Sequence, residues 1–265
     1  MLPHALERVP VWLRGWRESG RIVVLLDFDG TLAPIVERPE LAAMPAETRA
    51  ALDRLMALPG VEVAVVSGRG LADLRERAAI PGIAYAGNHG MEIEGAGLHR
   101  MHPDAVAARP ALAEAARHIE PLLSAMPGAF LEDKGMTLSI HFRQSPPDRH
   151  ADVRAAVEQA VSGDLRITAG KMVLEVRPRV EWDKGKAVLF LLDQMRPPSG
   201  APVLYLGDDR TDEDAFVALA GRGEGVLVGD PGAETAARSY LRDPTEVGAL
   251  FDNLVTQRHR GTETN

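Results

Sequence analysis

The chain of 265 residues is long enough for one large α/β domain or for a core with a smaller inserted domain. Hydrophobic residues make up 45% of the sequence and charged residues 26%, which are ordinary globular values and exclude a disordered or fibrous class. The formal net charge of -8, with Lys and Arg scattered among more numerous acids, argues against a nucleic-acid partner.

The sequence contains no cysteine, which excludes disulfides, thiolate catalysis and zinc–thiolate sites and is typical of a reducing compartment. The early apolar runs are too short to span a bilayer, and the first residues have no signal-peptide pattern. We therefore expect a cytoplasmic protein with no membrane partner. Trp12 and Trp16 stand at helical spacing, which predicts a first helix packed on the core, with a docking face as the alternative.

The first strand of the predicted core ends in two acids. The apolar run Ile22 to Leu26 is typical of a strand buried on both faces of a parallel sheet. Asp27 and Asp29 follow it, and alternation along an extended chain points both carboxylates the same way. Gly30 allows a sharp turn, and Thr31 adds a hydroxyl where open α/β sheets place ligands. Two acids this close repel each other unless a cation lies between them, which favours a metal site. The alternative is a merely polar turn, and only further residues of the chain can decide between the two.

Alternating helices and strands continue beyond this first strand. A helix is predicted over Pro45 to Leu58, a strand over Val61 to Val66, and a second helix around Leu71 to Ala78. Ile83 to Ala86 is a third short strand. The polar segments after the last two strands are Ser67-Gly68-Arg69 and Gly87-Asn88-His89-Gly90. This alternation predicts right-handed crossovers and a doubly wound, Rossmann-like parallel sheet.

The pattern changes between residues 105 and 181. A helix over 109–126 and a helix over 148–161 are each followed by two predicted strands, over 129–143 and 165–177. Apolar and polar residues alternate along the strands, so one sheet face is polar. We expect an inserted α+β cap over 105–181 that roofs a site between the core segments 1–104 and 182–265.

The core pattern resumes at Lys184, which precedes a helix. The strand Val203 to Leu206 ends in Gly207-Asp208-Asp209, and Thr211 is predicted to cap the following helix with Asp214 at the capping-box position. A further strand covers residues 226–228, and the tail after Val255 is expected to be frayed.

Three apolar runs thus end in acids, a hydroxyl or both, and their carboxyl ends converge at one edge of a parallel sheet. Asp27, Asp29 and Asp208 offer the hard oxygen ligands that suit Mg²⁺, while Ser67 and Lys184 can donate to phosphate oxygens. These are the components of a phosphoryl-transfer site. Asp27 is the candidate nucleophile, and Asp29 can move protons if neighbouring charge raises its pKa.

The order of these residues resembles the haloacid dehalogenase superfamily of phosphatases. Residues 27–32 match its first motif, Ser67 its second, Lys184 its third, and residues 207–209 with Asp212 its fourth. The resemblance implies an Asp27 nucleophile, an Asp29 acid/base, and Mg²⁺ held by Asp27, the backbone carbonyl of Asp29 and Asp208. The insertion resembles the larger, C2-type cap of that superfamily.

Further segments are similar to the trehalose-6-phosphate phosphatase family, over about Val23 to Phe251. They are residues 67–69, 87–92, 132–135 with His141 and Arg143, and 175–178. The resemblance implies hydrolysis of trehalose 6-phosphate through an aspartyl-phosphate, with Glu132, Lys134 and Glu175 holding sugar hydroxyls. Because the synthase-like domain fused in some eukaryotic relatives is missing from this sequence, we expect a stand-alone phosphatase. Asp209 and Asp212 would be supporting residues. The other candidate substrate and phosphate contacts are Thr31, Ser67, Gly68, Arg69, Asn88, His89, His141 and Arg143. A small sugar phosphate is the expected partner, and a monomer the expected state, with a weak homo-oligomer as the alternative.

Each of these residues also has an ordinary structural interpretation. Ser67 can cap a helix, Arg69 can form a structural ion pair, and the two histidines can be hydrogen-bonded framework residues. Asp208 and Asp209 can be helix-entry acids, Lys184 a surface lysine, and the cap residues a solvated strand face. The functional alternatives are a phosphatase for sucrose phosphate, glucosylglycerol phosphate or mannosyl-phosphoglycerate, a phosphomutase, and a non-enzymatic phospho-acceptor module.

Overall fold

The computed structural model describes residues 2–161, 163–170 and 172–260. In chain order, the strands are β1 (Ile22–Leu26), β2 (Val61–Val66), β3 (Ala84–Gly87), β4 (Glu92–Gly95), β5 (Leu98–Met101), β6 (Phe130–Asp133), β7 (Leu138–His141), β8 (Leu165–Gly170), β9 (Val173–Pro178), β10 (Val203–Gly207), β11 (Glu224–Val228) and β12 (Ser239–Leu241). The helices are α1 (Ala5–Ser19), α2 (Ala46–Met56), α3 (Leu71–Ala78), α4 (Pro103–Ala107), α5 (Arg109–Leu123), α6 (His150–Ala160), α7 (Lys184–Met195), α8 (Arg210–Ala218) and α9 (Pro244–Arg260). None of these helices is long and apolar enough to cross a membrane.

The larger sheet has the strand order β12-β11-β10-β1-β2-β3-β4-β5, and every pair from β12 to β3 is parallel. Successive residues of β1 point into two separate apolar clusters, because side chains alternate across a strand. Val24 packs with α1, α2 and α9 on one face, and Val23 and Leu25 pack with α7 and α8 on the other. The predicted doubly wound α/β core is therefore confirmed.

An antiparallel hairpin of β4 and β5 extends one edge of this sheet and was not predicted from the sequence. Ala96 and Gly97 connect its strands with positive φ angles of 50° and 80°, which matches the twist of a tight two-residue hairpin turn. Each strand has only four residues, which is too short for alternation of apolar and polar residues to stand out.

A second, antiparallel sheet has the order β6-β7-β9-β8. Helices α5 and α6 cover one of its faces and form an apolar cluster with it, including Ile119, Leu138 and Val153. This arrangement agrees with the expected α+β cap, whose limits at residues 105 and 181 stay a prediction. We use "cap" below for β6 to β9 with α5 and α6.

Two local expectations were wrong. Asp209, and not Thr211, caps α8: its carboxylate accepts from the backbone N–H of Thr211, and Asp212 completes the capping box in place of Asp214. Helix α9 continues to Arg260, so residues 256–260 are not frayed; residues 261–265 lie outside the described part of the chain. The guanidinium of Arg258 lies 4.8 Å from the centre of the Trp16 ring, and this contact holds the last turn of α9 on α1. Trp12 and Trp16 are buried in the core, as predicted.

Candidate active site

A buried lysine joins two aspartates at the carboxyl edge of the larger sheet. Lys184, at the start of α7, donates from Nζ to Asp27 Oδ1 at 2.9 Å and to Asp212 Oδ1 at 2.8 Å. All three residues are at least 97% buried. Burial alone lowers the pKa of Lys184, but attraction to Asp212 and Asp27 outweighs it and raises that pKa well above its usual value. Lys184 is therefore a fixed cation, and the surface-lysine interpretation is wrong.

Asp212 is the central acceptor of this cluster. Its Oδ1 also accepts from the hydroxyl of Tyr205 at 2.6 Å, and its Oδ2 accepts from the backbone N–H groups of Asp208 and Asp209 at 3.0 Å each. Both oxygens are thus occupied by donors of the protein. Asp212 orients Lys184 and the loop between β10 and α8, which is a positioning role.

The arrangement of acids at this edge fits a divalent cation. One carboxylate oxygen from each of Asp27, Asp208 and Asp212 lies within 4.8 Å of the other two. Burial, with repulsion from Asp212 and Asp209, raises the pKa of Asp208 to about 8. A cation bound there would relieve this repulsion, and a hard oxygen donor set suits Mg²⁺ or Ca²⁺.

Gly30 shapes the same place. Its φ angle is +82°, and a Cβ atom built on it would lie 2.1 Å from Asp208 Oδ2. A side chain at this position would therefore push into the carboxylate that completes the acidic cluster. Nearby, the Oγ1 atom of Thr31 is buried and has no hydrogen-bond partner among the described residues.

The carboxylate of Asp29 lies apart from this cluster and is bound by Arg69. Nε of Arg69 donates to Asp29 Oδ2 at 2.6 Å, and Nη2 donates to Oδ1 at 2.7 Å. Nη1 of Arg69 donates to Asp73 Oδ2 at 2.6 Å. The structural ion pair considered for Arg69 is thus present, although Arg69 also faces the cavity described next. Ser67 does not cap a helix, because α3 begins after Gly70.

A cavity of about 780 Å³ lies between the core loops and the polar face of the cap sheet. Its wall includes most of the residues predicted for the site: Asp27, Asp29, Ser67, Gly68, Arg69, His89, Glu132, Lys134, His141, Arg143, Glu175, Lys184 and Asp209. Thr31, Asn88, Asp208 and Asp212 are not among the residues that line it. The structure therefore brings together segments of both core halves and the cap.

Asn88 connects the core to the cap. Its Nδ2 donates to Glu92 Oε2 and to the backbone oxygen of Lys134, and its Oδ1 accepts from Thr137 Oγ1, each at 2.9 Å. The side chain is fully buried, and every polar atom of its amide has a partner in the protein. Asn88 thus fixes the turn between β6 and β7 against the core, a position that does not reach the cavity.

Two glutamates on the cap face the cavity as carboxylates. His89 Nε2 lies 3.2 Å and Arg177 Nε 3.6 Å from Glu175 Oε2, and Lys134 Nζ lies 4.0 Å from Glu175 Oε1. Burial opposes ionisation of Glu175, but these neighbours lower its pKa to about 2. Glu132 Oε2 lies 2.8 Å from His141 Nε2, and despite burial this bond lowers the pKa of Glu132.

Sequence reasoning missed some of the residues that build this site. Tyr205 lies inside an apolar strand run, where nothing in the sequence marks its hydroxyl as a donor to Asp212. Phe130 also lines the cavity, with 45% of its surface exposed. Its spacing of two residues from Glu132 was a usable signal, because such residues share a strand face.

The family model and the individual relatives that match this sequence indicate the same kind of protein. A family model described as trehalose-phosphatase matches residues 25–239. The trehalose-phosphate phosphatase of Mycobacterium avium is 43% identical over 249 residues, covering 90% of this chain and 63% of that protein. That of Mycobacterium marinum is 40% identical over 244 residues, covering 89% and 62%. The chain thus spans about three fifths of the length of these relatives.

The fold is also similar to a solved structure. The C-terminal domain of the trehalose-6-phosphate phosphatase of C. albicans superposes with a TM-score of 0.79 at 25% sequence identity. The match covers 97% of this chain and 98% of that one, so both the core and the cap have counterparts there.

Replacement of Asp212 tests whether its carboxylate organises the site. In Asp212→Asn one oxygen becomes an NH₂ group, which cannot accept from the donors on that side. We expect the free energy of unfolding to fall by about 3–5 kcal/mol, because a buried ion pair loses one partner. Tyr205→Phe, which removes only one hydrogen bond to this carboxylate, is the matched control and should cost about 1.5–3 kcal/mol. Urea denaturation measures both; equal losses would show that Asp212 is not the central acceptor.

Proposed function

Because the chain belongs to the trehalose-phosphatase family, we propose that it hydrolyses trehalose 6-phosphate to trehalose and phosphate. The observation that carries this proposal is the cavity that joins Asp27 to the cap carboxylates. Asp27 and Lys184 lie on its core side, and Glu132, Lys134 and Glu175 lie on its cap side. One wall thus offers a nucleophile and a cation for a phosphate, and the other offers acceptors and a cation for sugar hydroxyls.

The first chemical step is attack on phosphorus by a carboxylate oxygen of Asp27. The bond between phosphorus and the sugar oxygen breaks, and the phosphoryl group remains on Asp27 as an acyl phosphate. Lys184 holds the attacking carboxylate in place and offsets the negative charge of the phosphoryl group. Burial raises the pKa of Asp27 well above its usual value, and attraction to the Lys184 ammonium opposes this rise and so favours the carboxylate form that attacks phosphorus.

Asp29 moves the protons in both steps. Freed from Arg69 and protonated, it gives its proton to the leaving sugar oxygen; the resulting carboxylate then takes a proton from the water that attacks the acyl phosphate, which restores the protonated form. That second attack releases phosphate and restores the Asp27 carboxylate. Asp29 must exchange its ion pair with Arg69 for the substrate oxygen before it can act, so substrate binding has to open this contact.

Asp27 and Asp208 are the carboxylates proposed to hold Mg²⁺, together with the backbone carbonyl of Asp29. Bound there, the ion would neutralise phosphate charge and orient the phosphoryl group. The other carboxylate of the cluster, Asp212, has both oxygens engaged by protein donors and stays a positioning residue.

The cap residues supply sugar recognition. Glu175 and Glu132 are ionised acceptors for hydroxyl groups, and Lys134 is a donor whose Nζ lies 3.2 Å from the backbone oxygen of Gly68. Closure of the cap over the core excludes water, and a dry site strengthens each of these contacts. We propose that the partner is this small sugar phosphate and that the active state is a monomer.

A panel of phosphorylated sugars tests the substrate. With Mg²⁺ present, phosphate release from trehalose 6-phosphate should exceed that from sucrose phosphate, glucosylglycerol phosphate and mannosyl-phosphoglycerate by about a hundredfold in kcat/KM, because hydroxyl-binding carboxylates left unpaired cost about 1–3 kcal/mol each. Removal of divalent ions with a chelator should stop the reaction. No preference among the sugars would refute the specific substrate.

Asp27→Asn tests the nucleophile. The amide cannot attack phosphorus, so we expect phosphate release to fall by more than about 10³-fold, as when a covalent nucleophile is lost. Lys184 keeps its bond to Asp212, so the variant should unfold in a single thermal transition. Asp252→Asn is the matched control and should keep full activity, because Asp252 is half-exposed on α9, pairs with Arg54 and does not line the cavity. Activity in Asp27→Asn near that of the parent chain would exclude Asp27 as nucleophile.

Lys134→Ala tests sugar recognition separately from the chemistry. We expect kcat/KM for trehalose 6-phosphate to fall about 10- to 100-fold, since a charge-assisted hydrogen bond is lost, and turnover of a small aryl phosphate to change less than about threefold. Lys186→Ala is the matched control, because Lys186 is on α7 and does not line the cavity. Equal losses on both substrates would remove Lys134 from sugar recognition.

A further inference from the structure

The polar face of the cap sheet is organised in rows that cross its strands. Strand register places residues side by side, and alternation decides which of them face the cavity. One row contains two carboxylates and two hydroxyls: Glu132, Ser139, Glu175 and Thr168. The next row, two residues farther along each strand, is aromatic and apolar: Phe130, His141, Val173 and Gly170. All eight residues line the cavity.

These rows have a fixed order relative to the catalytic aspartates. Lys134, at the turn that follows β6, reaches the core at the backbone oxygen of Gly68, beside Ser67. The carboxylate row comes next, with Glu175 against His89 of the core. The aromatic row lies beyond it, and Phe130 is about 13 Å along the strand from Lys134 at roughly 3.3 Å per residue. Going away from the core, the sheet face therefore changes from cationic to acidic and then to aromatic.

Phe130 has the geometry of a preformed binding platform. Its ring stacks on the imidazole of His141, with ring centres 4.8 Å apart and 19° between the planes. The Nε2 atom of His141 lies 2.8 Å from Glu132 Oε2, and this hydrogen bond fixes the imidazole of the stack. Although it packs on His141, Phe130 stays 45% exposed, and it belongs to the cavity wall. An exposed aromatic ring on a cavity wall can offer its free face to a ligand.

We propose that Phe130, supported by His141, is the subsite for the sugar ring farther from the phosphate. This inference rests on the proposed function. The axial C–H bonds of a pyranose ring form an apolar face with partial positive charge, which complements the negative face of an aromatic ring. The ring next to the phosphate meets the carboxylate row, and the second ring meets Phe130. The aromatic row then distinguishes a phosphorylated disaccharide from a phosphorylated monosaccharide, which is too short to reach it.

Phe130→Leu tests this subsite, because it keeps an apolar side chain and removes the aromatic face. With the Mg²⁺-loaded full chain, we expect KM for trehalose 6-phosphate to rise about five- to tenfold with kcat within about twofold, as befits loss of one aromatic contact. KM for glucose 6-phosphate should stay unchanged. Phe130→Tyr keeps the aromatic face, so its KM for trehalose 6-phosphate should equal that of the parent chain. Equal KM values in Phe130→Leu and the parent, or equal rises for both substrates, would overturn the proposal.

Direct binding separates this inference from the proposed reaction. Calorimetric titration with trehalose itself needs no turnover, and we expect Phe130→Leu to bind it about five- to tenfold more weakly than the parent chain does. That result supports the subsite even if the parent releases no phosphate from trehalose 6-phosphate, an outcome that would overturn the proposed function alone. Unchanged trehalose binding in Phe130→Leu overturns the subsite alone. Phe130→Tyr is again the conservative control.

Discussion

The buried contact of Lys184 with Asp27 and Asp212 is the interaction on which the rest of the site depends. Burying a lysine and two aspartates is costly, and the hydrogen bonds from Lys184 to both carboxylates and from Tyr205 to Asp212 offset that cost. The three residues lie directly after β1, at the start of α7 and in the first turn of α8. Their contact therefore fixes three core segments relative to one another. The geometry of the acidic cluster follows from that, since Asp212 also holds the backbone of the loop that carries Asp208.

The cap and the core contribute different side chains to the cavity. The core side of the cavity carries acids together with the cations Lys184 and Arg69, a set suited to a phosphate and a metal ion. The cap contributes a sheet whose inner face presents carboxylates and an aromatic platform, while its other face is buried under α5 and α6. Side chains alternate between the two faces of each cap strand. One set therefore stabilises the cap under its helices, and the other set lines the cavity.

One contact joins the cap to the core, and another restrains Asp29 within the core. Asn88 fixes the turn that carries Lys134, and the Arg69 ion pair holds Asp29 at the cavity wall. The first contact makes the position of Lys134 depend on the core loop after β3. The second occupies both carboxylate oxygens of Asp29. In the proposed reaction, the bound substrate contacts Lys134 and competes with Arg69 for Asp29. Sugar recognition and proton transfer then both depend on substrate binding.

The sequence by itself determined the doubly wound core, the inserted α+β segment and most of the cavity wall, because apolar runs followed by acids mark the carboxyl ends of parallel strands. It also marked Asp27, Asp208 and Lys184 as a group. Only the tertiary structure showed that Asp212 is the shared acceptor, that Asn88 faces the cap, and that Phe130 lies on the cavity wall. Such roles depend on which side chains meet across elements distant in sequence. Local periodicity fixes the face of a strand but not the partner packed against it.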